Sequence, residues 1–167
     1  MGFTLTGFAA ECHRILAADS GPAGREAVVG LLQDALQDKD FVATNLGDEV
    51  PERKVIYEDP ELGFCILAHV NHDAKGSKPH DHGPTWAIYG QAKGETVMTD
   101  WECLERPSED KPGRARRTRD YTLKPGMAHL YNEGVLHSPR RDGPTRLIRL
   151  EGMNMDRVKR QPYEAVA

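Results

Sequence analysis

The sequence predicts an all-β domain, either a sandwich or a barrel, with a pair of helices at its N-terminus, and three observations lead to this prediction. Apolar side chains recur at helical spacing through the first 45 residues. Short runs with the composition of β-strands occupy residues 53–152. Segments rich in Gly, Pro, Asp and Asn, which favour turns, separate those runs. The chain of 167 residues is long enough for a single domain, 1–167, of this kind.

Two amphipathic stripes, separated by the helix-breaking segment SGPAG, make up the predicted helical pair. The first stripe contains Phe8, Cys12, Ile15 and Leu16, and the second contains Val28, Leu31, Leu32 and Leu36. In each stripe the spacing places the apolar side chains on one side of a helix. We therefore expect residues 1–45 to form a helical segment that packs against the rest of the domain.

Seven short runs with β-strand character follow the helices. Their sequences are KVIY, LGFCILAHV, TWAIYGQ, GETVMTDWECL, RDYTLK, MAHLYN and TRLIRLEG. Short strands at this density favour antiparallel pairing in a sandwich or barrel over 53–152, with 153–167 as a tail. The basic run KPGRARRTR lies between two of these strands and follows the acidic PSED. We interpret the run as an exposed hairpin tip, with a polyanion-binding patch as the alternative.

Composition and charge exclude several classes of partner. The net charge of −4 and the pI of about 6.0 give no electrostatic reason to expect nucleic acid or an anionic membrane. No apolar run approaches the roughly 20 residues that span a bilayer, and the N-terminus lacks the pattern of a secretory signal. The three cysteines are widely spaced, which argues against a disulfide framework and predicts that the protein resides in a reducing cytoplasm. The oligomeric state is left open.

Two histidines in the segment KPHDHGPTW are the first candidate functional residues. His80 and His82 are two residues apart, and in a strand such residues project to the same face. Both imidazoles can then reach one metal ion. An isolated pair with this spacing is also common on exposed strands, so the pair alone leaves a solvated surface role open.

The spacing around this pair matches the first motif of a known fold family. His82 is followed by four residues, then Ala87, six further residues and Gly94. The sequence therefore resembles a cupin, whose motif carries a glutamate where Ala87 stands. The resemblance implies the cupin fold, a double-stranded β-helix or jelly-roll barrel, behind the N-terminal helical pair.

The second cupin motif indicates the third ligand. Gly126, Gly134 and His137 stand at the spacing of this motif, with Asn132 in place of its proline. The resemblance thus implies a metal site formed by His80, His82 and His137. His129 is a rival ligand that falls off the motif.

The remaining histidines are interpreted as structural. His129 is also a candidate for a hydrogen bond to a ligand from outside the coordination shell. For His13, His69 and His72, a buried, hydrogen-bonded or exposed role is expected.

Three imidazoles without a carboxylate leave open coordination positions on a divalent ion. Imidazole suits iron, copper, nickel and zinc, and a three-histidine zinc site generates hydroxide for hydrolysis. The ligand set therefore predicts an open metal site without choosing the metal.

Within the cupins, the sequence is most similar to the cysteine dioxygenase family of thiol dioxygenases. The likeness lies in LGFCILAHVNHDAKGSKPHDH and in AHLYNEGVLHSP, and it covers most of the chain. It implies an Fe(II) cofactor, and a small thiol acid of the cysteine or 3-mercaptopropionate type that reacts with O2 to give a sulfinic acid. Two alternatives are a dioxygenase that cleaves a diketone or phenolic substrate and a non-catalytic cupin that binds a ligand.

The same resemblance implies how the substrate is bound. In the family, an arginine pairs with the substrate carboxylate. The position of that arginine corresponds to Lys54 in this sequence, with Arg53 beside it. The family's cysteine is replaced by Ala87, and no tyrosine occurs in TRLIRLEGMNMD, where the family has one. Tyr163 is a tyrosine of the tail and does not match that position.

Tyr89 is the third predicted substrate-binding residue. The cupin motif points Ala87 at the metal and so places Tyr89 on the inner face of the same strand. A regular alternation from the histidines, without a bulge at Gly83, instead places Trp86 and Ile88 on that face. A core position for Tyr89 is the alternative to a role at the site.

Overall fold

The computed structural model describes residues 2–166 and confirms the predicted fold class, with N-terminal helices followed by two facing sheets. The helices are α1 (Leu5–Ala18), α2 (Pro22–Leu36) and α3 (Lys39–Asn45). The strands are β1 (Lys54–Glu58), β2 (Cys65–Asn71), β3 (Lys75–Gly76), β4 (Ala87–Lys93), β5 (Thr96–Glu105), β6 (Gly113–Leu123), β7 (Ala128–Tyr131), β8 (Leu136–Arg141), β9 (Thr145–Glu151) and β10 (Tyr163–Val166). One sheet has the order β1-β2-β9-β4-β7 and the other β10-β6-β5-β8-β3.

Local capping signals define where the helices begin. The side chain of Thr4 accepts a hydrogen bond from the backbone N–H of Gly7 at 3.0 Å, so α1 begins with a capped turn. Pro22 lies in the first turn of α2, where its missing N–H costs nothing. The short helix α3 was not predicted, and the side chain of Asp38 caps it through the N–H groups of Asp40 and Phe41.

The helices cover the outer face of the first sheet and form the larger hydrophobic core with it. Leu32 of α2 lies in this core together with Ile88 of β4 and Ile148 of β9. Helix and sheet approach closely at Gly90, where an added Cβ atom would lie 2.6 Å from Cδ2 of Leu32. Glycine at this position is therefore required by packing rather than by backbone conformation.

This packing determines which side chains of β4 face the inside of the barrel. Trp86 and Ile88 lie in the core beneath the helices, whereas Ala87 and Tyr89 lie in a separate cluster between the sheets. The orientation indicated by the cupin motif is thus observed, and the regular alternation from the histidines is not. Gly83, with φ of 60°, bends the chain between the histidine pair and the strand.

Several strands were not predicted from the sequence. The run KPGRARRTR lies mostly within β6 rather than at a hairpin tip, and acidic residues of the adjacent β5 pair with two of its arginines. Arg119 donates to Asp100 at 2.7 Å, and Arg116 pairs with Glu102. β8 carries His137, and its proline and charges obscured its strand character. β10, in the predicted tail, pairs in parallel with β6.

Among the described residues 2–166, the helices are all too short or too polar to cross a lipid bilayer.

Candidate metal centre

The fold brings the three predicted histidine ligands together. His80 precedes β4 and forms an isolated bridge with His137 of β8, in which each backbone N–H donates to the other residue's carbonyl, at 3.0 and 2.9 Å. One ring nitrogen from each of His80, His82 and His137 lies within 4.8 Å of the others. The Nε2 atoms of His82 and His137 are 3.1 Å apart. Two nitrogens bound at about 2.1 Å and at right angles to one ion have a separation of about 3 Å.

Hydrogen bonds at the far side of each ring orient the histidines. In each ring Nδ1 faces an oxygen atom, so Nδ1 carries the proton and Nε2 presents a lone pair to the common centre. The acceptors are the carbonyl of Lys78 for His80 at 3.0 Å, the carbonyl of Val135 for His137 at 3.1 Å and the carboxylate of Glu151 for His82 at 3.2 Å. Glu151 is itself buried, as is typical of a carboxylate that fixes a metal-binding imidazole.

The convergent lone pairs are the feature that fits a cation. The Tyr89 hydroxyl lies 3.5, 3.1 and 3.2 Å from the Nε2 atoms of His80, His82 and His137. A hydroxyl has one proton and can satisfy only one of these three acceptors. A single metal ion satisfies all three, so the donor set fits one divalent ion.

Burial keeps these rings neutral, which metal ligation requires. Burial is the main cause that lowers the pKa of His80 to about 4 and that of His82 to about 2. The pKa of His137 is held well below its ordinary value for the same reason. The positive charge of Arg149 acts in the same direction on all three. At neutral pH the centre therefore offers three uncharged nitrogen donors.

Arg149 of β9 is a cationic residue in contact with this centre, and its sequence position predicted no role for it. Its Nη1 donates to the Tyr89 hydroxyl at 3.1 Å, and its guanidinium carbon lies 5.2 Å from the centre of the Tyr89 ring. Its Nε donates to Nε2 of His69 at 3.1 Å, and Glu151 forms an ion pair with it at 3.5 Å. These contacts hold the guanidinium in one orientation beside the metal centre.

His69, interpreted from the sequence as structural, lies in this network. Its Nδ1 donates to the carbonyl of Glu52 at 2.9 Å, which leaves Nε2 free to accept from Arg149. Burial, with the charge of Arg149 added, holds the pKa of His69 well below its ordinary value. A neutral His69 therefore anchors Arg149 from behind.

A cavity of about 620 Å³ extends outward from the metal centre. His80, Tyr89 and Arg149 line it, and so does Tyr163 from the C-terminal segment. Six cationic side chains contribute to its wall, against the one carboxylate of Glu52: they are Arg53, Lys75, Lys78, Arg141, Arg149 and Arg160. The cavity of an acidic protein is thus strongly basic and suits an anionic ligand.

The three predicted substrate-binding residues have different locations. Tyr89 and Arg53 line the cavity, and Arg53 forms an ion pair with Asp156 at 2.9 Å. Lys54 is exposed at the start of β1 and is not part of the cavity wall. The guanidinium in contact with the centre comes instead from β9.

His129 lies outside the histidine cluster. Its ring lies between those of Tyr121 and Tyr131, with centroids 5.1 and 4.6 Å away, and Tyr131 stacks on His137 at 4.0 Å. Nδ1 of His129 is buried without a hydrogen-bond partner among the described residues. His129 is therefore linked to the metal-binding His137 by ring contacts through Tyr131, and not by a hydrogen bond to one of the three histidines.

Comparison with known proteins concerns the fold alone. No family model and no curated protein matches the chain. A protein with a double-stranded β-helix domain from Klebsiella pneumoniae is 15% identical, with a TM-score of 0.46 over 66% of this chain and 80% of that one. A cupin superfamily protein from Desulfitobacterium hafniense is 13% identical, with a TM-score of 0.45 over 66% and 96%. A Schizosaccharomyces pombe cupin domain is 9% identical, with a TM-score of 0.46 over 61% and 64%.

The two facing five-stranded sheets form a double-stranded β-helix, which is the cupin fold. With the histidine cluster between those sheets, the chain is a cupin-fold protein whose site is suited to one metal ion.

Proposed function

We propose that this protein is a mononuclear non-haem Fe(II) dioxygenase that oxidises a small thiol carboxylic acid to its sulfinic acid. The observation that carries the proposal is that the guanidinium of Arg149 lies next to the three convergent Nε2 donors. The Tyr89 hydroxyl lies between them and accepts a hydrogen bond from Arg149. A thiol acid of the cysteine or 3-mercaptopropionate type carries a sulfur that can bind the metal and, a few bonds away, a carboxylate that can bind the guanidinium. The reaction RSH + O2 → RSO2H balances without a further reductant.

His80, His82 and His137 would hold the iron. When bound, Fe(II) supplies coordination positions for the thiolate and for dioxygen, together with the redox chemistry that joins them. Arg149 would bind the substrate carboxylate, because its side chain lines the cavity while His69 and Tyr89 fix its orientation. A guanidinium held in this way loses little further entropy when it contacts a carboxylate.

Tyr89 supplies the hydroxyl that the related family takes from a different strand. Its oxygen accepts from Arg149, so its own proton is directed toward the reacting atoms. The hydroxyl can donate that proton to an oxygen atom as negative charge develops on the sulfinate. In this proposal the missing tyrosine of β9 is replaced by Tyr89 of β4, and the arginine expected near Lys54 is replaced by Arg149.

The basic cavity favours a thiol acid over the first alternative substrate. A diketone or a phenol is neutral in its ordinary form and gains little from six surrounding cations. The predicted cytoplasmic location is consistent with this proposal, because a reducing compartment keeps both the thiol and ferrous iron in their reactive states.

The test is oxygen consumption by protein loaded anaerobically with Fe(II). We expect uptake with cysteine or 3-mercaptopropionate and incorporation of both atoms of labelled dioxygen into the sulfinate, measured by mass spectrometry. His137→Ala removes a ligand and should abolish uptake, whereas Arg140→Gln, on the outward face of the same strand, should not change it. Tyr89→Phe should bind iron normally yet turn over more slowly.

Two outcomes would replace the proposal. Uptake only with a diketone or a catechol would establish the ring-cleaving or diketone-cleaving alternative. Tight binding of a metal without uptake on any of these substrates would identify a non-catalytic cupin.

A further inference from the structure

We propose that Arg141 and Arg160, which line the same cavity as Arg149, form a second anion-binding subsite, so that the natural substrate carries a second acidic group beyond the carboxylate at Arg149. The inference rests on the proposed function for the thiol end of the substrate. It adds the chemical class of the rest of the molecule.

The size of the cavity is the first reason. Its volume of about 620 Å³ lies within the range of roughly 300–1,000 Å³ that holds ligands of drug size. A three-carbon thiol acid has only a handful of non-hydrogen atoms and would occupy the inner end, next to His80 and Tyr89. Such a molecule is too small to contact every cation of the cavity wall.

The second reason is that the cationic charge of the cavity is only partly neutralised by the protein. Three of the six cations have an acidic partner, and the pairs are Arg53–Asp156 at 2.9 Å, Lys75–Glu52, and Arg149–Glu151 at 3.5 Å. The other three, Lys78, Arg141 and Arg160, make no ion pair within residues 2–166. A second anionic group on the ligand would supply the missing charge.

Arg141 is the strongest of these unpaired cations. It lies on β8, two residues after Pro139 and four after His137, so these three side chains project to the same face of the strand. Both Pro139 and Arg141 line the cavity. Its Nε atom is buried and has no hydrogen-bond partner among the described residues. Burial lowers the pKa of Arg141 and the charge of Arg149 acts in the same direction, whereas Tyr89 and the carboxylate of Glu52 act against them. A partly buried guanidinium without an ion-pair partner is costly, and a bound anion relieves that cost.

Arg160 reaches the cavity from the C-terminal segment. Tyr163, three residues later, is buried against Gly113, where an added Cβ atom would lie 2.5 Å from the Tyr163 ring. β10 then continues in parallel along β6, so the segment is held against the barrel. The Arg160 guanidinium donates to the carbonyl of Asp81 at 3.3 Å through Nη1, and its other donors remain available to a ligand.

The chemistry shared by the possible ligands is a small thiol acid with a second acidic group, which can be a carboxylate or a phosphate. Both present oxygen atoms that match the fork of an arginine side chain. Comparing ligands that end in a carboxylate with ligands that end in a phosphonate shows which of the two groups the subsite prefers.

The test measures ligand binding to the full-length, metal-free protein by titration calorimetry at low salt. The ligands are propanoate, which has one acidic group, and butanedioate, hexanedioate and 3-phosphonopropanoate, which have two. We expect at least one of the two-acid ligands to bind about tenfold or more tightly than propanoate, because a charge-assisted contact is added. Whether a dicarboxylate or the phosphonate binds more tightly identifies the second group.

Variants of two neighbouring arginines on opposite faces of β8 show which side chain provides the tighter binding of two-acid ligands. Arg141→Gln should remove it, Arg141→Lys should restore part of it, and Arg140→Gln, an exposed cation that pairs with Asp142, should leave it unchanged. Circular dichroism of each variant reports whether the fold is retained. Equal affinity for one-acid and two-acid ligands, or equal losses in the Arg140 and Arg141 variants, would overturn the proposal.

Oxygen uptake by the iron-loaded protein separates this inference from the proposed function. A preference for two-acid ligands that depends on Arg141, without oxidation of any thiol, would retain the subsite and reject the thiol dioxygenase. Oxidation of 3-mercaptopropionate without any preference for 2-sulfanylbutanedioate or for the two-acid ligands would reject the subsite alone.

Discussion

Replacement of Arg149 by glutamine is the most informative single change at this centre. The guanidinium donates to the Tyr89 hydroxyl and to His69, both at 3.1 Å, and lies 3.5 Å from the carboxylate of Glu151. Glutamine keeps a polar side chain of moderate length and removes the positive charge. The three histidine ligands are unchanged, so iron binding should survive while recognition of the substrate carboxylate is lost.

The expected magnitude follows from the contact that disappears. A hydrogen bond that involves a charged group contributes about 1.5–3 kcal/mol. Since about 1.4 kcal/mol corresponds to a factor of ten, kcat/KM for 3-mercaptopropionate should fall by roughly 10- to 150-fold. Most of the loss should appear as a higher KM, because the carboxylate is held equally in the ground state and the transition state.

The assay compares an acid thiol with a neutral thiol of the same length. Oxygen uptake is measured for wild type and Arg149→Gln with 3-mercaptopropionate and with 3-mercaptopropanol, which lacks the carboxylate. The variant should lose most of its activity toward the acid and little toward the alcohol, so the preference for the acid collapses. Equal losses on both substrates would show that Arg149 supports the site structurally and would refute its assignment to the carboxylate.

Three further changes test other parts of the structure. Glu151→Gln weakens the acceptor that orients His82, so metal affinity should fall about 10- to 100-fold in a competition titration, and unchanged affinity would contradict this role. Gly90→Ala places a methyl group 2.6 Å from Leu32 and should lower the free energy of unfolding by about 1–3 kcal/mol, measured by urea denaturation. The metal-free protein should lose stability as pH falls below 6.5, because the unfolded chain then binds protons that the buried His82, with a pKa of about 2, does not. Stability that stays constant as the pH is lowered from 6.5 toward 4 would argue against burial of the neutral rings.

The histidine cluster could be predicted because its information is local. The separation of His80 and His82 by one residue, and the motif around His137, follow from short spacings that the sequence displays directly. The same motif, rather than simple alternation, indicated the inner face for Ala87 and Tyr89. The bend at Gly83 is the physical reason why counting from the histidines fails.

The charged residues of the cavity could not be predicted in the same way. Arg149 and His69 lie on neighbouring strands but are 80 positions apart in the chain, and no local pattern links them. Arg160 and Tyr163 belong to a segment interpreted as a tail, and only the pairing of β10 with β6 places them at the cavity. The arginine position inferred by resemblance, Lys54, lies on the exposed surface instead.

By itself, the sequence determined the helical N-terminus, the β-barrel and the three imidazoles, because each depends on periodicity or on short spacing. Only the tertiary structure decided which face of β9 is the interior. In TRLIRLE the apolar Ile148 and Leu150 point outward into the core beneath the helices, and Arg149 and Glu151 point inward to the metal centre. Alternation alone assigns polar side chains to solvent. Here a layer of helices buries the outer face, and the polar face is left to line the cavity.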